Sequence, residues 1–117
     1  MEKLNFSAIS RQLVPYIERI LKRLRISYLK SGNKLVLSCP IHDSTNESSL
    51  NIFLSGQKGG GNYICWTKHC EQEHGASVIF LIKAILEREF NHRFTIEDTL
   101  EYIESDVKIE RDYQEPE

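Results

Sequence analysis

The chain has 117 residues, 40% of them hydrophobic and 27% charged, with a formal net charge of −2, three Cys and four His. This length suits one small domain with a thin core, and no apolar run is long enough to span a bilayer, so within this sequence a multidomain enzyme and a membrane-embedded protein are both excluded. Three Cys cannot all pair with one another and no signal-peptide pattern follows Met1-Glu2-Lys3, which predicts a reduced, cytoplasmic setting.

The net charge hides a strong asymmetry. Residues 1–37 carry eight Lys/Arg against two acidic residues, whereas from Arg93 onward there are nine acidic residues against three basic ones. A mildly basic body followed by an acidic end is expected.

Residues before about Ser10 give no clear pattern. From Pro15 the set Ile17, Ile20, Leu21 and Leu24 has helical spacing, and Pro is best tolerated in a first turn, so a helix is predicted to start there. Arg19, Lys22 and Arg23 fall outside that stripe and read as its solvated face. Ser27-Tyr28-Leu29-Lys30 and Lys34-Leu35-Val36-Leu37-Ser38 flank Ser31-Gly32-Asn33 and predict a hairpin whose second strand runs into Cys39. The polar stretch 43–49 predicts a loop, Leu50-Asn51-Ile52-Phe53-Leu54 a third strand, and Tyr63-Ile64-Cys65-Trp66 a fourth. Between the last two, Gly59-Gly60-Gly61 lacks the Gly-Lys-Ser/Thr ending and following helix of a phosphate loop, so a flexible hairpin tip is predicted. A core helix is expected after Ser77, its predicted N-cap, with Val78, Ile79, Leu81, Ile82, Ile85 and Leu86 on a broad apolar face. A last helix is expected from Thr95, where Thr95-Ile96-Glu97-Asp98 approximates a capping box and Ile96, Leu100 and Ile103 line the inner side. The resulting division is an N-terminal helical segment over 1–26, a strand-rich domain with C-terminal helices over 27–105, which the cysteine pattern described next makes a zinc-ribbon domain, and an acidic linker or tail over 106–117.

The chemistry lies in Cys39-Pro40-Ile41-His42 and in Cys65 with Cys70. Two ligands separated by two residues reach one ion from a single tight turn, and Pro40 fixes φ inside that turn without adding an N–H. Cys65 and Cys70 complete a tetrahedral set of three thiolates and one imidazole. That donor set suits Zn²⁺, and a shell filled by four protein ligands leaves no position for water or substrate. One structural zinc is therefore predicted. His69 is an alternative to Cys70, since a Cys65 and His69 pair is also chelatable and His74 lies close by.

Together these features resemble the N-terminal zinc-binding domain of DnaG-type bacterial and phage DNA primases. The resemblance covers about Ile20 to Ile103: the Cys-Pro-x-His start, Ser48 or Ser49 ahead of a strand, Tyr63-Ile64-Cys65-Trp66, Cys70, Gly75, the apolar helix from Val78, and a following helix from Phe94 to Ile103. It departs in spacing the last two ligands by four residues instead of two, in lacking Asp after Gly75, and in the Gly-rich insertion, which points to a divergent branch from a phage or other mobile element. The fold it implies is α+β, a zinc-ribbon-like antiparallel sheet flanked by helices in one small domain. The function it implies is template binding: a non-catalytic part of a DNA primase that engages single-stranded DNA and helps initiate RNA primer synthesis in replication. Primer synthesis itself would belong to a separate polymerase domain or subunit, and a replicative helicase is a further candidate partner.

On physical grounds, Tyr63 and Trp66 are the candidates for stacking on bases, and Lys34, Lys58 and Lys68 for contacting phosphates. Strand alternation puts Tyr63 and Trp66 on opposite faces, so one of the two is expected in the core. A rival reading is a zinc ribbon that docks on a replication or transcription protein without touching DNA, which the acidic segment and modest charge favour. A zinc hydrolase would need an open coordination position that the predicted shell does not leave.

Overall fold

The computed structural model describes residues 4–41, 48–55 and 60–111. Its architecture is α+β, a four-stranded antiparallel meander with helices before and after it.

The chain enters through helix α1 (Phe6–Leu13), a 3-10 turn at Val14–Tyr16, and helix α2 (Ile17–Arg23). Asn5 caps α1, its side-chain oxygen accepting from Ala8 N at 3.1 Å. Pro15 has no N–H to continue an α-helical ladder, so the chain tightens into the 3-10 turn there and resumes as α2 beyond it. The expected stripe is correct for α2, where Ile17, Ile20 and Leu21 are buried. The segment before Ser10 is structured after all, because Ile9 and Leu13 supply a second apolar stripe with no exposed surface.

Strands β1 (Leu29–Ser31) and β2 (Lys34–Leu37) pair with Ser31 opposite Lys34, so the hairpin turns on Gly32 and Asn33 alone. Strands β3 (Leu50–Phe53) and β4 (Asn62–Cys65) follow in register, with Leu37 opposite Leu50 and Leu50 opposite Cys65. Alternation sends Leu35, Leu37, Leu50, Ile52, Tyr63 and Cys65 into the core, all at most 2% exposed. The opposite face carries Lys34, Val36, Asn51, Phe53 and Ile64.

Short helix α3 (Cys70–His74) was not expected. Helix α4 (Val78–Phe90) and helix α5 (Ile96–Glu104) were. Ser77 occupies the N-cap position of α4, but its side chain makes no capping bond there. Thr95 and Asp98 form the full reciprocal capping box of α5, at 3.0 Å in each direction. One buried cluster runs from Ile9 through the sheet and α4 to Leu100, Ile103 and Val107. Among the described residues, those from Leu4 to Ile26 thus share one core with the sheet and the later helices, and the boundary drawn at 106 falls inside it, because Val107 is 5% exposed.

The glycine run also differs from expectation. Gly60 and Gly61 are buried, and a Cβ on Gly61 would lie 2.6 Å from the Ser10 carbonyl oxygen of α1. Gly61 N donates to Phe53 O and Gly61 O accepts from Val78 N, so this residue joins the sheet, α1 and the start of α4. These two glycines serve close packing. Residues 56–59 lie outside the described ones.

Candidate metal centre

The end of β2, the end of β4 and the first residue of α3 deliver Cys39, Cys65 and Cys70 to one point. Their Sγ atoms all lie within 4.8 Å of one another, and all three residues are buried. They are not disulfide-bonded. Cys39 Sγ and Cys70 Sγ are 3.8 Å apart. Two thiolates held about 2.3 Å from one tetrahedral ion stand roughly 3.8 Å apart, so this separation fits a shared metal. A metal of thiolate preference fits the trio on donor chemistry as well.

Backbone geometry around the trio is fixed by buried polar contacts. Ser49 has no exposed surface; its Oγ accepts from Cys39 N at 2.8 Å, while its carbonyl accepts from Trp66 N at 2.7 Å. A single residue therefore touches both ligand-bearing segments. Glu71 adds a second tie, Oε2 accepting from Cys65 N at 3.0 Å. His69 takes a left-handed conformation (φ 50°) between Cys65 and Cys70. That reversal lets the next residue, Cys70, turn inward at the start of α3.

The three thiols are electrostatically unequal. Burial pushes Cys65 upward, but the backbone N–H groups of Cys70, Lys68 and Thr67, together with the Thr67 hydroxyl, outweigh it and bring its pKa down to about 6. This is the signature of a sulfur aimed into a nest of donors, which favours the thiolate a metal requires. Cys70 is pushed up to about 12, first by burial and then by the neighbouring Cys65 and Cys39 sulfurs. A cation among the three sulfurs would reverse that repulsion.

The predicted ligands are thus brought together in three of four cases. His42 lies outside the described residues. On the alternative, His69 is not in the cluster: its ring is about half exposed and its Nδ1 sits 3.2 Å from Glu71 Oε1. Cys70 takes the place in the trio.

The nucleic-acid candidates separate. Tyr63 faces the core with no exposed surface, which corrects its reading as a stacking residue: position 63 shares the inner face with Cys65. Its hydroxyl is buried and finds no hydrogen-bond partner among the described residues, and burial, followed by the nearby Cys70, raises its pKa. Trp66 is 53% exposed. With the Asn51 amide oriented to satisfy its neighbours, its oxygen accepts from Trp66 Nε1 at 2.7 Å, so the indole is anchored at its polar edge over the outer sheet face. Lys34 lies on that same face opposite Phe53, and Lys68 is exposed in the turn after β4. Lys58 lies outside the described residues.

Sequence reading missed Ser49 as a hydrogen-bonding bridge and missed Glu71 altogether. For Glu71 the available signal was an acidic residue directly after a ligand Cys. No helix among the described residues is long and apolar enough to cross a membrane. Comparison with family models, curated proteins and solved structures gave no match to this chain.

Proposed function

We propose that the chain is the zinc-binding module of a DNA primase, which holds one structural Zn²⁺ and engages single-stranded template while a separate polymerase domain or subunit joins the nucleotides. The observation that carries the metal part is the convergence of Cys39, Cys65 and Cys70 with a 3.8 Å sulfur separation. The Cys-Pro-x-His order makes His42 the fourth ligand. When bound, Zn²⁺ would supply a cross-link between the β2 and β4 ends that this thin core otherwise lacks. Cys39, Cys65 and Cys70 would hold it, Ser49 and Glu71 would fix their backbones, and the closed shell would leave the chain without catalysis of its own.

The template part is supported by the outer face of the sheet. Trp66, anchored through Asn51, offers an aromatic plane; Phe53, Ile64 and Val36 continue an apolar surface beside it, and Lys34 adds a cation on the same side. An open sheet face with an immobilised indole and flanking Lys suits sequence-tolerant stacking of unpaired bases. A docking module without DNA contact draws support from Leu29, a second large apolar side chain at 73% exposure on β1.

The test is fluorescence anisotropy with a labelled single-stranded oligonucleotide on protein whose zinc content has been measured. Binding should weaken steeply with salt, and Trp66→Ala should weaken it by about 5- to 150-fold, the value of one base stack. Protein with stoichiometric zinc and no binding at low salt would discard the template reading in favour of the docking module. Protein without zinc would discard the metal.

A further inference from the structure

The turn that begins at Cys39 is held from two sides, and only one of them is the sheet. On the sheet side Ser49 takes the Cys39 N–H. On the other side stands Arg88, in the last turn of α4, whose Nη1 donates to Pro40 O at 2.9 Å and to Ile41 O at 3.1 Å. These contacts span 48 and 47 residues of sequence, so they tie the helix to the turn and owe nothing to local chain geometry.

A cationic side chain near a helix C-terminus is ordinarily explained by the carbonyls of its own last turn. Arg88 instead reaches across to the two residues that follow a metal-ligating Cys. The Ile41 side chain packs against the core, but the peptide planes of these residues are outside any regular ladder. Pro40 has no N–H, and neither Pro40 nor Ile41 belongs to a strand or helix. The direction in which the turn carries its ligands depends on the peptide planes at 40 and 41, and one guanidinium nitrogen bonded to both carbonyls sets both planes together. There is also a charge argument. A dication shared by three thiolates and a neutral imidazole carries one net negative charge, and Arg88 places a permanent positive charge beside the segment that bears it.

We propose that Arg88 is a positioning residue of the metal centre: it holds the Cys39 turn in its metal-receiving geometry, and so couples α4 to metal retention. The role rests on the metal reading given above. Arg88 touches no metal; it acts on the ligand turn through the Pro40 and Ile41 carbonyls. Its contribution should appear in how long the ion stays, more than in whether the chain folds, because the side chain is on the surface and outside the buried cluster.

The experiment is the rate of zinc release from the full chain to an excess of a chromophoric chelator, for the wild type, Arg88→Ala, Arg88→Lys and Glu89→Ala. Outer contacts of this kind are worth about 10- to 100-fold in metal affinity, so Arg88→Ala should bind one zinc and release it at least about ten times faster. Arg88→Lys retains a cationic donor within reach and should recover part of that loss. Glu89→Ala changes the neighbouring exposed position on the same helix end and should release zinc as the wild type does. Cobalt substitution supplies a second readout, since a turn that is no longer held should alter the ligand-field spectrum of Arg88→Ala. Release from Arg88→Ala at the wild-type rate overturns the proposal. Equal acceleration in Glu89→Ala does so too, because any weakening of the helix end would then suffice. A wild-type chain that binds no zinc overturns both this role and the metal reading, whereas a zinc-loaded wild type with an indifferent Arg88→Ala overturns the role alone.

Discussion

Ser49 is the residue on which the Cys39 and Cys65 segments meet. Its hydroxyl oxygen takes the Cys39 N–H and its carbonyl takes the Trp66 N–H, with no surface left for water to replace either bond. The carbonyl bond survives any side-chain change, but the hydroxyl bond does not. Ser49→Ala would leave the Cys39 N–H buried and unsatisfied, at a cost of about 1–3 kcal/mol. Urea denaturation in the presence of a chelator should show this drop in stability, since the bond joins only protein atoms. Unchanged stability would mean that the Cys39 N–H finds another acceptor. A Ser in a polar run announces nothing of this in the sequence, because what matters is its placement opposite a backbone N–H ten residues away.

Among elements, the junction of α1 with the β3–β4 connection is the most sharply defined. Gly61 has φ +85° and a Cβ there would meet the carbonyl oxygen and carbon of Ser10 at 2.6 and 2.7 Å, both backbone atoms that cannot rotate aside. Gly32, in the β1–β2 turn, has a similar positive φ of +63° but open space around it. Gly32→Ala should therefore cost only the conformational penalty of about 1–2 kcal/mol. Gly61→Ala adds to that an overpacking penalty of about 1–3 kcal/mol, because α1 must retreat from the sheet. Denaturant titrations of both variants make the comparison, and equal costs would show that α1 yields freely.

The same junction shows where sequence reading succeeds and where it fails. Helix α4, with its broad apolar face, and helix α5, with its Thr95 to Asp98 box, were legible because periodicity and capping are local signals. The strands were placed to within a residue or two for the same reason, and the Cys trio was legible from its paired spacing. Helix α1 was not, since it is only eight residues long and one of its three buried positions, beside Ile9 and Leu13, is the polar Ser10. Helix α3 is five residues long and exists to turn Cys70 inward, which no periodicity can signal. Gly60 and Gly61 were misread because a glycine needed for close approach and a glycine in a loose tip are the same letter. Arg88 and Glu71 stayed hidden because their ties to the cysteine-bearing segments end on backbone atoms there.

At the scale of the whole molecule, the charge asymmetry of the sequence turns out to be folded against itself. Arg19 of α2 makes a two-pronged contact with Asp106 at 2.9 and 3.0 Å, and Arg23 lies over the Tyr102 ring at 4.4 Å. The solvated basic face expected for α2 is in fact partly spent on the end of α5. Beyond it, the Gln12 side chain donates to Glu110 O and accepts from Glu110 N, both at 2.8 Å, and Arg111 pairs with Glu97 and Glu104. Residues 106–111 are therefore a strap across the helices, where a linker or frayed terminus was expected.

Besides the paired Gln12–Glu110 hydrogen bonds, ion pairs and apolar burial hold that strap, and these last two differ in magnitude. Its ion pairs are largely solvent-exposed, each worth about 0–1 kcal/mol and screened by salt. Val107, buried to 5% exposure in the common core, is worth about 1.5–3 kcal/mol by the area it removes from water. A chain ending at Ser105 should therefore lose roughly 2–4 kcal/mol of stability, the Val107 share with a small addition from the pairs. Most of the loss should persist in 1 M salt, where the exposed pairs are screened but burial is not. Thermal or urea unfolding at low and high salt separates the two contributions. A loss that vanishes in high salt would assign the strap to its charges, and no loss at all would show that the core closes without Val107.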